Sequence, residues 1–430
     1  MGPSTRNGAE SYRVYVGKQF RKNKPAVVAI WVLGFLLFIF VFADFIANDK
    51  PIVARYQGKT IFPVIQQYGI SLGLSNRPDY LPHQGGWKKL DFDFAWWPLV
   101  PYGPREQDVS NPRVSPGGDQ SISSWRWRHW MGTDPLGRDL LSAMVHATRT
   151  DLLIGVVAMG VAAIIGILLG ALAGFFGDDQ LRISRGRLLL NLPFLFLAWF
   201  YAFKVRSLEI TEAMSAGFGA MLIQMLLSIG IFCIVMVIPN LLAKPLKRFP
   251  WMAHKVKLPM DIAISRLIEI VVSVPVIFLI IMVVAVVEGG SIFWVMVVIG
   301  LTRWTGIARF IRAELLRVRQ LEYIEAARSL GFSRWRMLWR HAIPNSLSPV
   351  FISIAFGIAS AILIEAFLSF IGIGFPPDQL TWGSLLNLGR TNISLWWLAV
   401  FPGIPIFVTV TVFNLIGEGL SDALDPRQKR

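Results

Sequence analysis

Charge is what this 430-residue chain has least of: Asp, Glu, Lys and Arg make up 16% of it, while hydrophobic residues make up 54%. Soluble domains carry roughly 25% charged residues, so the balance excludes disorder and argues against an ordinary cytosolic enzyme. Cysteine is almost missing. The single one, Cys233, sits in an apolar run, so no intrachain disulfide can form and the redox compartment stays unread. Catalytic motifs are missing as well, with no nucleophile elbow and no HExxH pair. His83, His129, His146, His254 and His341 are scattered without ligand spacing, which argues against a metal site. Gly58-Lys59-Thr60 looks like the end of a phosphate loop, but Val53 stands where the leading glycine belongs. The net charge of +15 comes with no nucleic-acid reading motif. In a membrane chain it is better explained by cations that hold loops in the cytoplasm, so no nucleic-acid partner is expected.

Long apolar runs are abundant. Mean hydropathy is +0.53, and a bilayer core takes about 20 apolar residues per helix. Residues 1–25 carry Arg13, Lys18, Arg21, Lys22 and Lys24 and read as a cytoplasmic N-terminus, followed by a retained anchor over 26–46. Residues 47–150, rich in Trp and Pro, then read as one long periplasmic loop. A span over 151–176 carries Gly155, Gly160, Gly166, Gly170 and Gly174, small residues that let membrane helices approach. Within 177–260, Leu188–Phe203 and Ala216–Leu242 read as a hairpin whose flanking Arg and Lys residues put both feet inside, though Pro193 leaves a re-entrant course open. Residues 261–416 hold a pair, Ile264–Val287 and Ser291–Ile307, joined by Glu288-Gly289-Gly290, then a polar loop over 309–345, then Leu347–Ile373 and Trp396–Ile416. Residues 417–430 form a cytoplasmic tail. The expected fold is an all-α polytopic membrane protein of about eight spans with both termini cytoplasmic.

The polar loop is the most informative stretch. Leu315, Val318, Leu321, Ile324 and Ala327 recur at helical spacing, and Gly331 is placed to end that helix. Ser333 can cap a second helix through Trp335, Met337, Leu338 and Trp339, stopped by Pro344. From pattern alone the pair either rests on anionic lipid or docks on a protein.

Its literal residues carry a resemblance. Glu325-Ala326-Ala327, then Gly331, then His341-Ala342-Ile343-Pro344 resembles the EAA loop of binding-protein-dependent ABC importers. In that family the loop is a helix pair that docks on a cytoplasmic ATPase, which implies a coupling role for Glu325, Ala326, Ala327, Arg328, Gly331 and Pro344. His341 departs from the general pattern, which has isoleucine there. The form Arg340-His341-x-x-Pro344-Asn345 is instead similar to the oligopeptide and dipeptide branch. Gly132-Thr133-Asp134-Pro135-Leu136-Gly137-Arg138-Asp139 is similar to the GTDxLGRD signature of that branch's C-type subunit, and Glu365 to Gly372 resembles its EASLSFLG. Trp382 to Leu385 and Asp422 to Arg427 also match. Tyr56-x-Gly58-x-x-x-Phe62-Pro63-Val64 is similar to the Yej-type permease associated with microcin C and oligopeptide uptake.

The resemblance implies a MetI-like type I importer core of six spans plus the extra hairpin, in a bacterial inner membrane. Its implied partners are a homologous B-type permease, two cytoplasmic ATPases, a periplasmic solute-binding protein and a peptide substrate. It implies no enzyme activity and no cofactor on this chain, since the ATPases bind the ATP. Nickel, glycosides or a peptide antibiotic would suit the same machine. A secondary transporter is the competing class, and it would need more intramembrane charge and repeated halves. Residues 47–131 are placed to meet the binding protein or gate the cavity. Glu365 and Ser369 are assigned to the translocation path or the subunit interface, and Glu269 to a bond with a neighbouring helix. The segment 177–260 has no family counterpart and is expected to pack on the lipid side.

Overall fold

The computed structural model describes residues 12–71, 86–216, 218–246, 248–286, 292–373 and 379–424. The expected Glu288-Gly289-Gly290 turn, Lys247, His83 and the end of the closing motif, Asp425 to Arg427, lie outside them. The helices that organise the chain are α1 (Lys24–Ile46), α2 (Leu140–Ala171), α3 (Arg185–Trp199), α4 (Phe218–Leu246), α5 (Met260–Ser273), α6 (Val276–Val286), α7 (Ile292–Val318), α8 (Glu322–Ser329), α9 (Arg334–Met337), α10 (Ser348–Phe370), α11 (Trp382–Thr391) and α12 (Trp397–Leu424). Among the described residues, seven helical segments are long and apolar enough to cross a membrane, and the bent pair α5–α6 makes an eighth if it counts as one span. The protein is therefore a mostly helical polytopic membrane protein.

Several boundaries differ from expectation, each for a local reason. Helix α2 starts at Leu140, so the long loop ends at Asp139 and not at 150. The Asp139 carboxylate accepts the Ser142 amide at 2.7 Å and starts the helix early. The expected Ile264–Val287 span is bent by 79°. Val274, preceding Pro275, is extended (ψ 125°), because the proline ring disfavours helical geometry in the residue before it. The expected helix through Leu315 and Ala327 breaks after Val318, and α8 begins at Glu322. Pro344 does not stop the second loop helix. It sits in the first turn of Ile343–Ser346, where its missing N–H costs nothing.

Contacts divide the chain into two compact units. The first holds residues 1–163, 277–304 and 348–430. Here α10 and α12 pack against each other and against α11, and α1 packs on α12. Asn23 caps α1 by accepting the Ala26 amide at 3.0 Å, and its Nδ2 donates to Asp422 at 2.9 Å, so the start of α1 and the end of α12 lie side by side. The long loop is not helical at its centre. It folds a small antiparallel sheet with β1 (Val53–Tyr56) between β2 (Lys59–Ile61) and β3 (Phe94–Trp96). Gln57 and Gly58, both at positive φ, form the two-residue turn between β1 and β2, a hairpin geometry that favours glycine. The supposed phosphate-loop remnant is thus a strand turn.

The second unit holds residues 164–276 and 305–347. Here the end of α2 approaches α7 closely: an added Cβ on Gly170 would lie 2.5 Å from the Ala308 carbonyl, and one on Gly174 would lie 2.6 Å from that of Arg312. The segment 177–260 leaves and rejoins this unit through a two-stranded ribbon that pairs Arg182–Ser184 with Lys255–Lys257. Its helices α3 and α4 pack on each other and expose apolar side chains such as Leu192, Leu226 and Ile234, as a lipid-facing hairpin would.

Candidate functional site

The 309–345 loop has two distinct faces. Ile324, Ala327, Met337, Leu338 and Ala342 are buried, whereas Glu325, Ala326, Arg328, Pro344 and the large apolar Leu330 are exposed. Between the helices, Gly331 adopts φ +77°. Its amide donates to the Arg328 carbonyl at 3.0 Å, and the Phe332 amide donates to that of Ala327 at 3.1 Å. These paired bonds are the Schellman ending, which needs a left-handed residue at this position. Ser333 then accepts the Arg336 amide at 3.3 Å and starts α9. The pair is fastened within its own unit. Arg319 reaches the Gly174 carbonyl at 3.4 Å, Arg334 donates to the Gln180 carbonyl, and Trp335 packs on Phe176 with ring centroids 5.0 Å apart. Arg312 in α7 pairs with Asp261 in α5. The exposed face is therefore carried on a backing tied to α2, α5 and α7.

In the first unit, the 132–139 signature works as a clasp at the start of α2. An added Cβ on Gly132 (φ +81°) would lie 2.5 Å from the Val114 carbonyl. Thr133 donates from Oγ1 to the Asn111 carbonyl at 2.7 Å, and its own carbonyl accepts Trp397 Nε1 at 3.0 Å. Asp134 Oδ1 accepts the Leu136 and Arg138 amides, and its Oδ2 accepts Arg138 Nε at 2.6 Å. A Cβ on Gly137 would lie 2.1 Å from the Asp108 carbonyl. Asp139, besides capping α2, lies 2.8 Å from Nδ1 of the fully buried His129, whose ring stacks on Tyr102. Burial, reinforced by Asp108 and Asp139, pushes the Tyr102 hydroxyl above its ordinary range. Thr133, Asp134 and Asp139 are buried, so the signature ties the loop to the spans and does not present its polar side chains outward.

The two glutamates part company. Glu269 is exposed and pairs at 2.7 Å with Arg266 on its own helix, not with a neighbouring one. Glu365 is fully buried and accepts Ser369 Oγ at 2.7 Å. It faces Asp151 and Thr381, and Asp151 in turn accepts the Trp382 amide at 3.0 Å. Glu365 and Ser369 thus lie in packing among α2, α10 and α11 and line no exposed surface of this chain. Two carboxyls enclosed in apolar helices are costly, which marks the pair as functional or structural and not incidental. Asp151 was not among the expected site residues. Its position at the edge of the 151–176 run made it look like a span boundary, and only the tertiary contact with Glu365 reveals it.

Comparison with known proteins decides what this architecture is. Residues 251–430 match the family described as binding-protein-dependent transport system inner membrane component. That segment holds the coupling loop, α10, α11 and α12, so the likeness covers the candidate site. Residues 11–60 match the N-terminal TM domain of oligopeptide transport permease C. The permease is similar over 96% of its length to the peptidoglycan transport system permease protein YejE of Agrobacterium fabrum, at 23% identity and 92% of that protein. It is similar over 95% of its length to the inner membrane ABC transporter permease protein YejE of Escherichia coli, at 25% identity and 96% of that protein. It also resembles the probable D,D-dipeptide transport system permease protein DdpC of Escherichia coli, at 29% identity over 70% of this chain and 74% of the relative. The Yej-type and oligopeptide resemblances read from the motifs agree with these findings, and the permease is an inner-membrane protein. The matched family is one of binding-protein-dependent transport components.

Proposed function

We propose that this chain is the C-type transmembrane subunit of an ATP-driven importer that takes peptides across the inner membrane. The observation that carries the reading is the 309–345 loop, an exposed Glu325-Ala326-Arg328 face on a buried backing, turned at Gly331. The relatives' names point to the cargo, since they speak of peptidoglycan and D,D-dipeptide transport. The partners are a B-type permease, two cytoplasmic ATPases that bind and hydrolyse the ATP, and a periplasmic solute-binding protein. This chain supplies no ATP site. Both termini lie in the cytoplasm, which the Asn23–Asp422 contact supports by holding them together.

Closure of the ATPases on ATP presses on residues 317–345. Arg334, Arg319 and Trp335 pass that load to the end of α2, and the Arg312–Asp261 pair passes it from α7 to α5. The spans then switch between inward- and outward-facing arrangements, a two-state change biased by nucleotide. The binding protein delivers peptide against the 47–139 segment. The test is co-purification of the chain with its candidate ATPase, comparing wild type with Gly331→Asp and Glu325→Lys. Retention by wild type and loss from both variants supports the docking role. Equal retention by all three removes it.

A further inference from the structure

The segment 177–260 gathers cations at one end, all of it within the second unit. Its ribbon sets Ser184 opposite Lys255, and the Arg185 amide donates to the His254 carbonyl at 3.0 Å. An added Cβ on Gly186 would lie 3.4 Å from the Met252 Cβ and 3.7 Å from that of Leu246, so the start of α3 rests against the end of α4 and the turn after it. Arg185, Arg187, Lys244, Arg248 and Lys255 therefore share one foot. None of these five has an ion pair among the described residues. The acids that border the segment are already met. Asp179 pairs with Lys257 and lies near Arg182, Asp178 accepts the Ile262 amide at 3.1 Å, and Asp261 pairs with Arg312.

Cytoplasmic cations fix the orientation of a span, but orientation alone does not ask for this arrangement. Arg185 and Arg187 occupy the first turn of α3, which carries no acidic residue and receives no capping bond from the Ser184 side chain. That is the positive end of a helix dipole, where cations are unfavourable and an anion is stabilised. Trp251 stands exposed beside them, with the Arg185 guanidinium 5.7 Å from its ring. Tryptophan rings placed this way settle at the headgroup level of a bilayer. Just beyond the foot, α3 and α4 expose Leu189, Leu192, Leu241 and Leu242. Leu241 and Leu242 stand only about 3–5 Å along the helix axis from Lys244, so the apolar surface runs straight into the basic one.

An occupant that matches this foot carries an anion fixed to an apolar body. A soluble phosphate meets the cations and leaves the leucines bare. A zwitterionic headgroup brings an ammonium to a place whose bordering acids are taken. An anionic phospholipid offers its phosphate to the cations and its acyl chains to α3 and α4. We propose that the foot of the 177–260 segment is a binding surface for anionic phospholipid, with the phosphate among the five cations and the Trp251 ring at the headgroup level. The inference goes beyond the importer reading and needs only the membrane placement of this segment.

The experiment attaches an NBD fluorophore to Phe249→Cys in a Cys233→Ser background of the full chain, held in nanodiscs of mixed phosphatidylglycerol and phosphatidylethanolamine. A nitroxide near the headgroup of one lipid or the other quenches the probe, and the two quenching curves give the relative association of the lipids at the foot. The foot with its cations intact should prefer phosphatidylglycerol. Lys255→Gln should lower that preference about fivefold, the effect of one cation at a membrane surface. Adding Arg185→Gln should bring it close to parity, whereas Lys255→Arg should keep it. Size-exclusion chromatography and circular dichroism establish that each variant is folded. Arg21→Gln with Lys22→Gln removes charge from the N-terminus instead and should leave the preference at the foot unchanged. Equal quenching by both lipids with the cations intact, or an equal fall in the N-terminal control, overturns the proposal. Preference abolished by millimolar glycerol 3-phosphate makes a soluble phosphate the occupant and overturns it as well. ATPase co-purification is read separately, so a foot without lipid preference leaves the importer reading standing.

Discussion

Replacing Gly331 with alanine isolates one backbone angle. An added Cβ there meets nothing within 4 Å, so no clash enters the cost. What remains is φ +77°, where an L-residue with a Cβ is disfavoured by roughly 1–2 kcal/mol. If the free loop of the variant relaxes out of this turn while the docked loop keeps its two Schellman bonds, that strain appears as weaker ATPase docking of about 5- to 30-fold. Asparagine tolerates the left-handed region better than alanine, so Gly331→Asn should lose distinctly less. The assay titrates purified ATPase against the immobilised chain in detergent and compares the three dissociation constants. Equal losses for Ala and Asn, or no loss for Ala, would refute the claim that this turn geometry is required in the docked state.

Other outcomes follow from the same contacts. Glu365→Gln keeps an acceptor for Ser369 but changes the group facing Asp151, and it should impair peptide uptake in vesicles while leaving complex assembly intact; unimpaired uptake removes the functional reading. Gly383→Val places a Cβ 2.7 Å from both the Ala366 Cα and the Ser369 Cβ, overpacking that should cost about 1–3 kcal/mol and lower the thermal midpoint in detergent. Burial pushes the Asp108 carboxyl up, but bonds from Asn111, His129 and the Ser110 amide more than offset it and hold it below the usual range. Its contribution to loop stability should therefore be complete above about pH 4 and decline as pH falls through its lower folded value, so Asp108→Asn should flatten the acid end of a hydrogen-exchange profile of residues 102–139.

How much of this was legible beforehand depends on the range of the forces involved. The spans were legible because lipid imposes a local rule on every 20-residue window, and the EAA loop through its literal residues, Glu325-Ala326-Ala327 and Gly331, although the single helix its spacing suggested breaks after Val318. Pro275 was legible in principle, yet the apolar run from Ile264 onward hid the bend behind uniform hydropathy. The 140–150 extension of α2 was hidden because His146, Arg149 and Asp151 look like loop residues until partners are supplied. Those partners are Ala47, Asp44 and Trp382, between about a hundred and more than two hundred residues away along the chain. The 132–139 signature could be recognised, but its work as a clasp depends on Asn111, Val114 and Trp397, which no local pattern couples to it.

The Arg149 contacts also bear on biogenesis. Helix α1 kinks at Phe42, and Arg149 donates to the carbonyls of the two residues just before it, Phe40 and Val41. During synthesis α1 enters the membrane roughly a hundred residues ahead of α2, so its kinked end must wait for a cation that has not yet been made. That cation is costly in lipid until α1 receives it. A nascent chain whose α1 has failed to insert would therefore leave Arg149 without its Asp44 carboxylate and its Phe40 and Val41 carbonyls, and should be degraded faster. Pulse-chase turnover of Arg149→Leu in cells carrying an α1-scrambled chain would read this, with slower degradation expected than for the scrambled chain that keeps Arg149.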